Sequence, residues 1–168
     1  MSKAESASPN ITNNEMPGWL YAAGVILAIC YPVLSFSIGF RAVYQLGFKA
    51  GVTNYLAPGL SLLTALFYLV ATIGFAKKAK WAWWVSIVSL GLETLCTFVV
   101  GGLSLTPAYA DVIGRTAWRA FGADYGYLPL VQPLIGLVWL IHPTTRRAYG
   151  VLRDRGQAHP VIGRRGER

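Results

Sequence analysis

Long apolar stretches separated by short polar segments make up most of the chain. Residues 16–40, 50–76 and 125–145 carry no charged side chain, and residues 81–110 carry only Glu93. The apolar core of a bilayer is about 30 Å thick and takes about 20 residues of helix to cross. The pattern therefore predicts four membrane-spanning helices, near residues 19–40, 54–75, 81–103 and 127–142.

The fourth predicted span is the shortest. A helix over residues 127–142 would be only about 24 Å long at a rise of about 1.5 Å per residue. We expect the extended segment at residues 125–126 to supply the missing depth.

Composition supports a membrane protein. Apolar residues make up 54% of the 168 residues and charged residues only 13%, against about 25% charged in soluble domains. Too few charges are present to cover the surface of a water-soluble domain. The predicted fold class is an all-α membrane protein, a bundle of four transmembrane helices with a short amphipathic helix on the outer side.

The positions of the basic residues predict the topology. Lys77, Lys78 and Lys80 fill the turn between the second and third spans, and arginines are frequent in residues 143–168. Cytoplasmic flanks collect Lys and Arg. We therefore expect a multi-pass protein of a bacterial plasma membrane with both termini in the cytoplasm. Residues 1–17 are interpreted as a disordered leader, residues 18–142 as the transmembrane domain, and residues 143–168 as a basic tail.

The longest outer loop is predicted to contain a short helix. Thr106 can cap it, Pro107 suits its first position and Gly122 can end it. Apolar residues would lie on one side of this helix, which we expect to rest on the membrane surface or cover the bundle. Within this loop we identify Trp118, Phe121 and Tyr125 as candidate residues for docking a partner.

Glu93 is the only charged residue in the middle of a predicted span. Steps of three or four residues place it in a stripe of small and polar residues, with large apolar side chains opposite. That stripe should face the interior of the bundle. It comprises Ser86, Ser89, Glu93, Thr97, Gly101 and Ser104.

Residues at the same depth in other spans are candidate partners for Glu93. Counting inward from the outer ends of the first two spans reaches Tyr31 and Thr64, and Thr97 lies on the same stripe. Keeping a glutamic acid protonated at pH 7 takes about 3.7 kcal/mol from its reference value, and burying an unpaired charge takes at least a comparable amount. We therefore expect Glu93 to be neutral and hydrogen-bonded to these hydroxyls, as interhelical glue or as a proton or ligand site.

No familiar catalytic or cofactor motif occurs in the chain. Histidine is absent from the span interiors, so a haem with two buried histidine ligands has no ligands there. Zinc-protease motifs and phosphate-binding glycine loops are also absent. We expect no catalytic residue, no cofactor and no metal. The basic residues lack the interleaved aromatics of a nucleic-acid surface, so no nucleic-acid partner is expected.

The segment 116–140 contains one pattern of aromatic, glycine and proline residues, FG-x-x-YG-x-x-PL-x-x-P-x-x-GL-x-WL. It resembles the signature of a family of small four-span integral membrane proteins of actinobacteria. The resemblance covers the last two spans well and the first two in outline, and implies architecture and lineage rather than a reaction. The matching residues are Phe121, Gly122, Tyr125, Gly126, Pro129, Leu130, Pro133, Gly136, Leu137, Trp139 and Leu140.

Two functional hypotheses follow. The first is a non-enzymatic accessory subunit of a larger plasma-membrane complex, with other membrane protein subunits and the bilayer as its partners. A respiratory complex is one candidate, suggested by the small size of such subunits rather than by a motif. The second is a transporter of a small solute, or one coupled to protons, that uses Glu93.

Overall fold

A computed structural model describes residues 16–152, and all its regular elements are helices. No strand occurs within that range. The predicted leader and most of the predicted tail lie outside the described residues. The elements in chain order are α1 (Gly18–Gly47), α2 (Leu56–Ala76), α3 (Lys80–Leu103), α4 (Pro107–Ile113), a 3-10 segment (Arg119–Tyr125), α5 (Leu128–Ile141) and α6 (Pro143–Ala148).

Three helices, α1, α2 and α3, are long and apolar enough to cross a membrane. Their ends lie within two residues of the expected bounds, except that α1 continues to Gly47, seven residues beyond the expected end. Residues 41–47 are helical although the uncharged stretch ends at residue 40. The all-α fold class is confirmed.

Helix α5 is too short to cross a bilayer alone. Its 14 residues give about 21 Å of helix, against a core of about 30 Å. The 3-10 segment precedes it, and the two axes meet at 99°. Counted together, this bent pair would make a fourth span.

The turn between α2 and α3 and helix α6 lie at the same end of the bundle, which we call the basic end. The Tyr149 hydroxyl donates a hydrogen bond of 3.2 Å to the carbonyl of Gly74 near the end of α2. Burial raises the pKa of Tyr149 to about 12, so this hydroxyl stays a hydrogen-bond donor well above neutral pH. The Arg146 guanidinium lies 5.8 Å from the centre of the Trp83 ring at the start of α3.

The opposite end, which we call the loop end, holds residues 48–55 and 104–127. Asn54 ties this end together, because its Oδ1 accepts from the backbone N–H of Leu56 at 2.9 Å and its Nδ2 donates to the carbonyl of Val112 at 2.8 Å. One side chain thus joins the start of α2 to the last turn of α4.

The outer helix ends earlier than expected. Thr106 and Pro107 occupy the expected first positions, but α4 stops at Gly114, whose φ of +65° interrupts the helix. The expectation that Gly122 ends it was wrong. Asn54 lies close to this glycine, since a Cβ on Gly114 would be 3.1 Å from Asn54 Nδ2. Glycine reaches this left-handed backbone conformation without steric cost.

Candidate functional site

Glu93 lies in the centre of the bundle on α3, with no exposed surface. The stripe expected from the sequence does face inward, because its six residues are all buried. The opposite face is open to the surroundings, as Leu95 at 58% exposure and Phe98 at 51% show. A carboxyl group therefore sits among packed side chains, where unsatisfied polar groups are costly.

Trp118 is the hydrogen-bond partner of this carboxyl group. Its Nε1 donates to Glu93 Oε1 at 2.9 Å, and the indole is fully buried. Glu93 is ten residues before the end of α3 at Leu103, a depth of about 15 Å along the helix. The loop after α4, residues 114–122, therefore enters the bundle rather than lying on its surface. We call it the entering loop.

Side-chain hydroxyls hold the entering loop in place on both sides. Ser61 of α2 accepts from the backbone N–H of Ala117 at 3.0 Å. On the other side, Ser104 accepts from the backbone N–H of Ala120 at 2.8 Å. These bonds satisfy backbone groups that would otherwise be buried without partners. Within a bilayer, irregular backbone is tolerated where protein buries it or where it lines a water-filled cavity.

A left-handed turn at the start of the 3-10 segment brings the loop back out. Ala120, Phe121 and Gly122 have φ values of 45°, 60° and 88°. The turn presses against Gly101 of α3, where an added Cβ would lie 2.9 Å from the backbone nitrogen of Phe121. The small residue in the stripe thus makes room for the loop.

The hydroxyls expected to bind Glu93 have other partners. Tyr31 donates to the backbone carbonyl of Gln132 in α5 at 2.9 Å. Thr64 donates to the carbonyl of Leu60 in its own helix at 3.1 Å. The structure therefore corrects the expectation that these two side chains bond to the carboxyl group, since each is satisfied by a backbone carbonyl.

Thr97, the fourth residue of the expected polar site, is also engaged by backbone carbonyls. Its hydroxyl lies 2.8 Å from the carbonyl oxygen of Glu93 and 3.2 Å from that of Pro129. It links α3 to the first turn of α5. Its contact with Glu93 is to the main chain and not to the carboxyl group.

Three polar atoms in this region have no hydrogen-bond partner among residues 16–152. They are Glu93 Oε2, the Tyr68 hydroxyl and Gln132 Nε2. The Tyr68 hydroxyl lies near the Glu93 carboxyl group. Tyr68 is fully buried and was missed from the sequence. Its position four residues after Thr64 puts it on the same face of α2, which is the signal that could have identified it.

The three candidate docking residues do not form one exposed surface. Trp118 was expected to meet a partner, and this was wrong because the side chain is buried against Glu93. Phe121 and Tyr125 are half-buried. Phe121 packs on Phe98 with ring centres 6.1 Å apart, and the Tyr125 hydroxyl accepts a bond of 3.4 Å from Arg41.

No protein family, curated protein or solved structure matches this chain. The residues of the aromatic, glycine and proline pattern at 121–140 nevertheless have clear packing roles. Trp139 donates its indole N–H to the carbonyl of Leu20 at 2.8 Å. Gly136 lies against the Tyr31 hydroxyl and leaves no room for a Cβ. Gly122 is similarly close to Pro129 Cδ, at 2.7 Å from where its Cβ would be.

Residues 16–152 contain no group of three His, Cys, Asp or Glu side chains placed to hold a metal ion. What the centre offers chemically is one acid, one indole donor, two tyrosine hydroxyls and one primary amide. These groups can hold a proton or make hydrogen bonds.

Proposed function

We propose that this protein is a non-enzymatic accessory subunit of a larger membrane complex, with four passes through a bacterial plasma membrane. The observation that supports it best is the use of the polar stripe on α3. Ser89 donates to the carbonyl of Phe67 in α2 at 2.8 Å, Glu93 accepts from Trp118, and Ser104 accepts from Ala120. These three polar groups, which could line a solute path, instead hold segments of the chain together.

Four passes fit the two ends of the described part of the chain, because the Tyr21 ring near the start of α1 lies 5.2 Å from Lys78 Nζ in the turn between α2 and α3. Within residues 16–152 the basic end carries Lys77, Lys78, Lys80, Arg146 and Arg147 and no acidic residue. The positive-inside rule then places this end in the cytoplasm. Both termini would lie on that side, as expected from the sequence.

An accessory subunit needs an apolar face for its neighbour, and α2 and α3 offer one. Between them runs a groove of about 460 Å³ lined by Leu66, Phe67, Val88 and Leu92 among others. It lies on the exposed apolar surface of these two helices, which a bilayer would cover. Small residues and well-packed apolar surfaces drive helix association in lipid, so a transmembrane helix of the partner is the expected occupant.

Native gel electrophoresis after mild solubilisation tests the proposal. We expect the tagged protein to migrate with a large complex whose subunits are identified by mass spectrometry, with a respiratory complex as one candidate. Val88→Trp, which fills the groove, should release the protein from that complex. Val33→Trp on α1, equally exposed, is the matched control. Migration of the wild type as a small homo-oligomer alone would rule the proposal out.

A second candidate function is proton-coupled or small-solute transport. The observation that favours it is the set of unpartnered buried groups, Glu93 Oε2, the Tyr68 hydroxyl and Gln132 Nε2. Ionisable groups inside membranes are often functional. Reconstituted vesicles with an internal pH dye would report proton entry after a pH jump. Entry that Glu93→Gln abolishes would favour transport, and equal rates with wild type and empty vesicles would exclude proton coupling.

A further inference from the structure

A cavity of about 320 Å³ opens at the loop end, beside the connection between α1 and α2. Its wall contains three cationic side chains, Arg41, Lys49 and Arg115, and no carboxylate. The uncharged polar side chains of Gln45, Thr53 and Asn54 complete the polar part of the wall. A concave surface with one sign of charge concentrates ions of the opposite sign.

Neighbouring side chains position both arginines. The Arg41 guanidinium lies 5.9 Å from the centre of the Tyr125 ring and donates to its hydroxyl. Arg115 Nε lies 3.5 Å from Asp124 Oδ2. Asp124 and Tyr125 are adjacent in the 3-10 segment, so one short segment orients two guanidinium groups toward the same cavity.

The charges of this cavity are not balanced within residues 16–152. Asp124 is the acidic residue within ion-pair distance, and it is shared between Arg115 and Arg119. Lys49 makes no ion pair or side-chain hydrogen bond in the described part of the chain. Mutual repulsion of three cations would be relieved by a bound anion with several acceptor oxygens.

We propose that this cavity binds a phosphate group. Guanidinium groups bind phosphate oxygens in pairs, and lysine adds a compact point charge. The cavity lies at the ends of α1 and α2, and Tyr44 and Tyr55, both exposed, flank it as interfacial aromatic residues do at headgroup depth. A phospholipid headgroup and a free phosphate ion share the required chemistry.

The site can be tested on the purified full-length protein in a neutral detergent. The melting temperature is measured with dihexanoyl phosphatidylglycerol, with dihexanoylglycerol, which lacks phosphate, and with inorganic phosphate, all at one ionic strength. A ligand that binds the folded state raises the melting temperature. Lys49→Gln and Arg115→Gln remove charge from the cavity, and Lys77→Gln removes the same charge at the basic end as the control.

We expect phosphatidylglycerol to stabilise the wild type and Lys77→Gln. Each cavity variant should bind it about tenfold or more weakly, the loss of one charge-assisted contact. Stabilisation by inorganic phosphate that is likewise lost in the cavity variants would assign the site to a soluble phosphate. The proposal is overturned if the cavity variants respond like Lys77→Gln, or if dihexanoylglycerol stabilises as well as phosphatidylglycerol.

Discussion

Trp118 donates its indole N–H to Glu93 Oε1 at 2.9 Å, and both side chains are fully buried. The two residues are 25 positions apart in the chain. The bond joins α3 to a loop that folds back into the bundle. It gives Glu93 a structural role that does not depend on any ligand.

Trp118→Phe should destabilise the protein. The phenyl ring keeps much of the apolar contact but lacks the N–H, so Glu93 Oε1 loses its donor and, like Oε2, has no hydrogen-bond partner within the described residues. Leaving a buried acceptor without a partner costs about 1–3 kcal/mol. The effect is measured as the melting temperature in detergent. Unfolding is detected by the loss of the monodisperse chromatographic peak on heating.

Trp84→Phe is the matched control for this prediction. Trp84 is 54% exposed and its indole N–H makes no hydrogen bond within residues 16–152. Its replacement should leave the melting temperature nearly unchanged. Equal losses in the two variants would mean that ring size, and not the bond to Glu93, sets the stability.

Infrared spectroscopy should show a protonated Glu93 at neutral pH. No Lys, Arg or His among residues 16–152 forms an ion pair with it, and an unpaired charge inside the bundle is costly. We expect a carboxylic C=O stretch in the wild type that Glu93→Gln removes. Trp118→Phe should shift this band, whereas Thr64→Val should not, because Thr64 bonds to Leu60. No such band in the wild type would contradict the prediction.

Gly101→Ala should disturb the turn of the entering loop. An added Cβ would lie 2.9 Å from the backbone nitrogen of Phe121, and overpacking of this kind costs about 1–3 kcal/mol. Gly102→Ala is the control, since a Cβ there meets nothing within 4 Å. Thermal unfolding of the two variants should separate them. A Gly101→Ala protein as stable as Gly102→Ala would show that the loop can move away freely.

The hydrophobic pattern predicted the long helices because their bounds depend on local composition. It also placed Glu93 on a buried face, because residues three and four apart in a helix share one side. These features need no knowledge of how distant segments meet. The bounds of α2 and α3 were accordingly predicted to within two residues.

The partner of Glu93 could not be predicted in the same way. Depth counting assumed straight spans that meet side by side, and so it selected Tyr31 and Thr64. The actual donor comes from a loop whose path depends on Gly114, which ends α4, and on positive φ angles at Ala120 and Phe121. Non-glycine residues adopt such angles only when surrounding contacts enforce them. Those contacts are tertiary, and no local sequence pattern predicts them.

Cysteine labelling in whole cells should reveal how many times the chain crosses the membrane. In a background of Cys30→Ala and Cys96→Ala, an impermeant maleimide should label Lys49→Cys and Tyr109→Cys at the loop end, both exposed positions. It should not label Lys78→Cys or Arg147→Cys until the cells are opened.

The labelling result at position 147 distinguishes four passes from three. Helix α6 contacts the basic end through Tyr149 and Gly74, so α5 has to traverse the bundle despite its 14 residues. A short α5 suffices because it starts inside the bundle, where the Pro129 carbonyl lies 3.2 Å from the Thr97 hydroxyl. The 3-10 segment covers the distance between this point and the loop end. Labelling of Arg147→Cys in intact cells, together with Lys49→Cys, would instead place α6 on the same side as the loop end and exclude four passes.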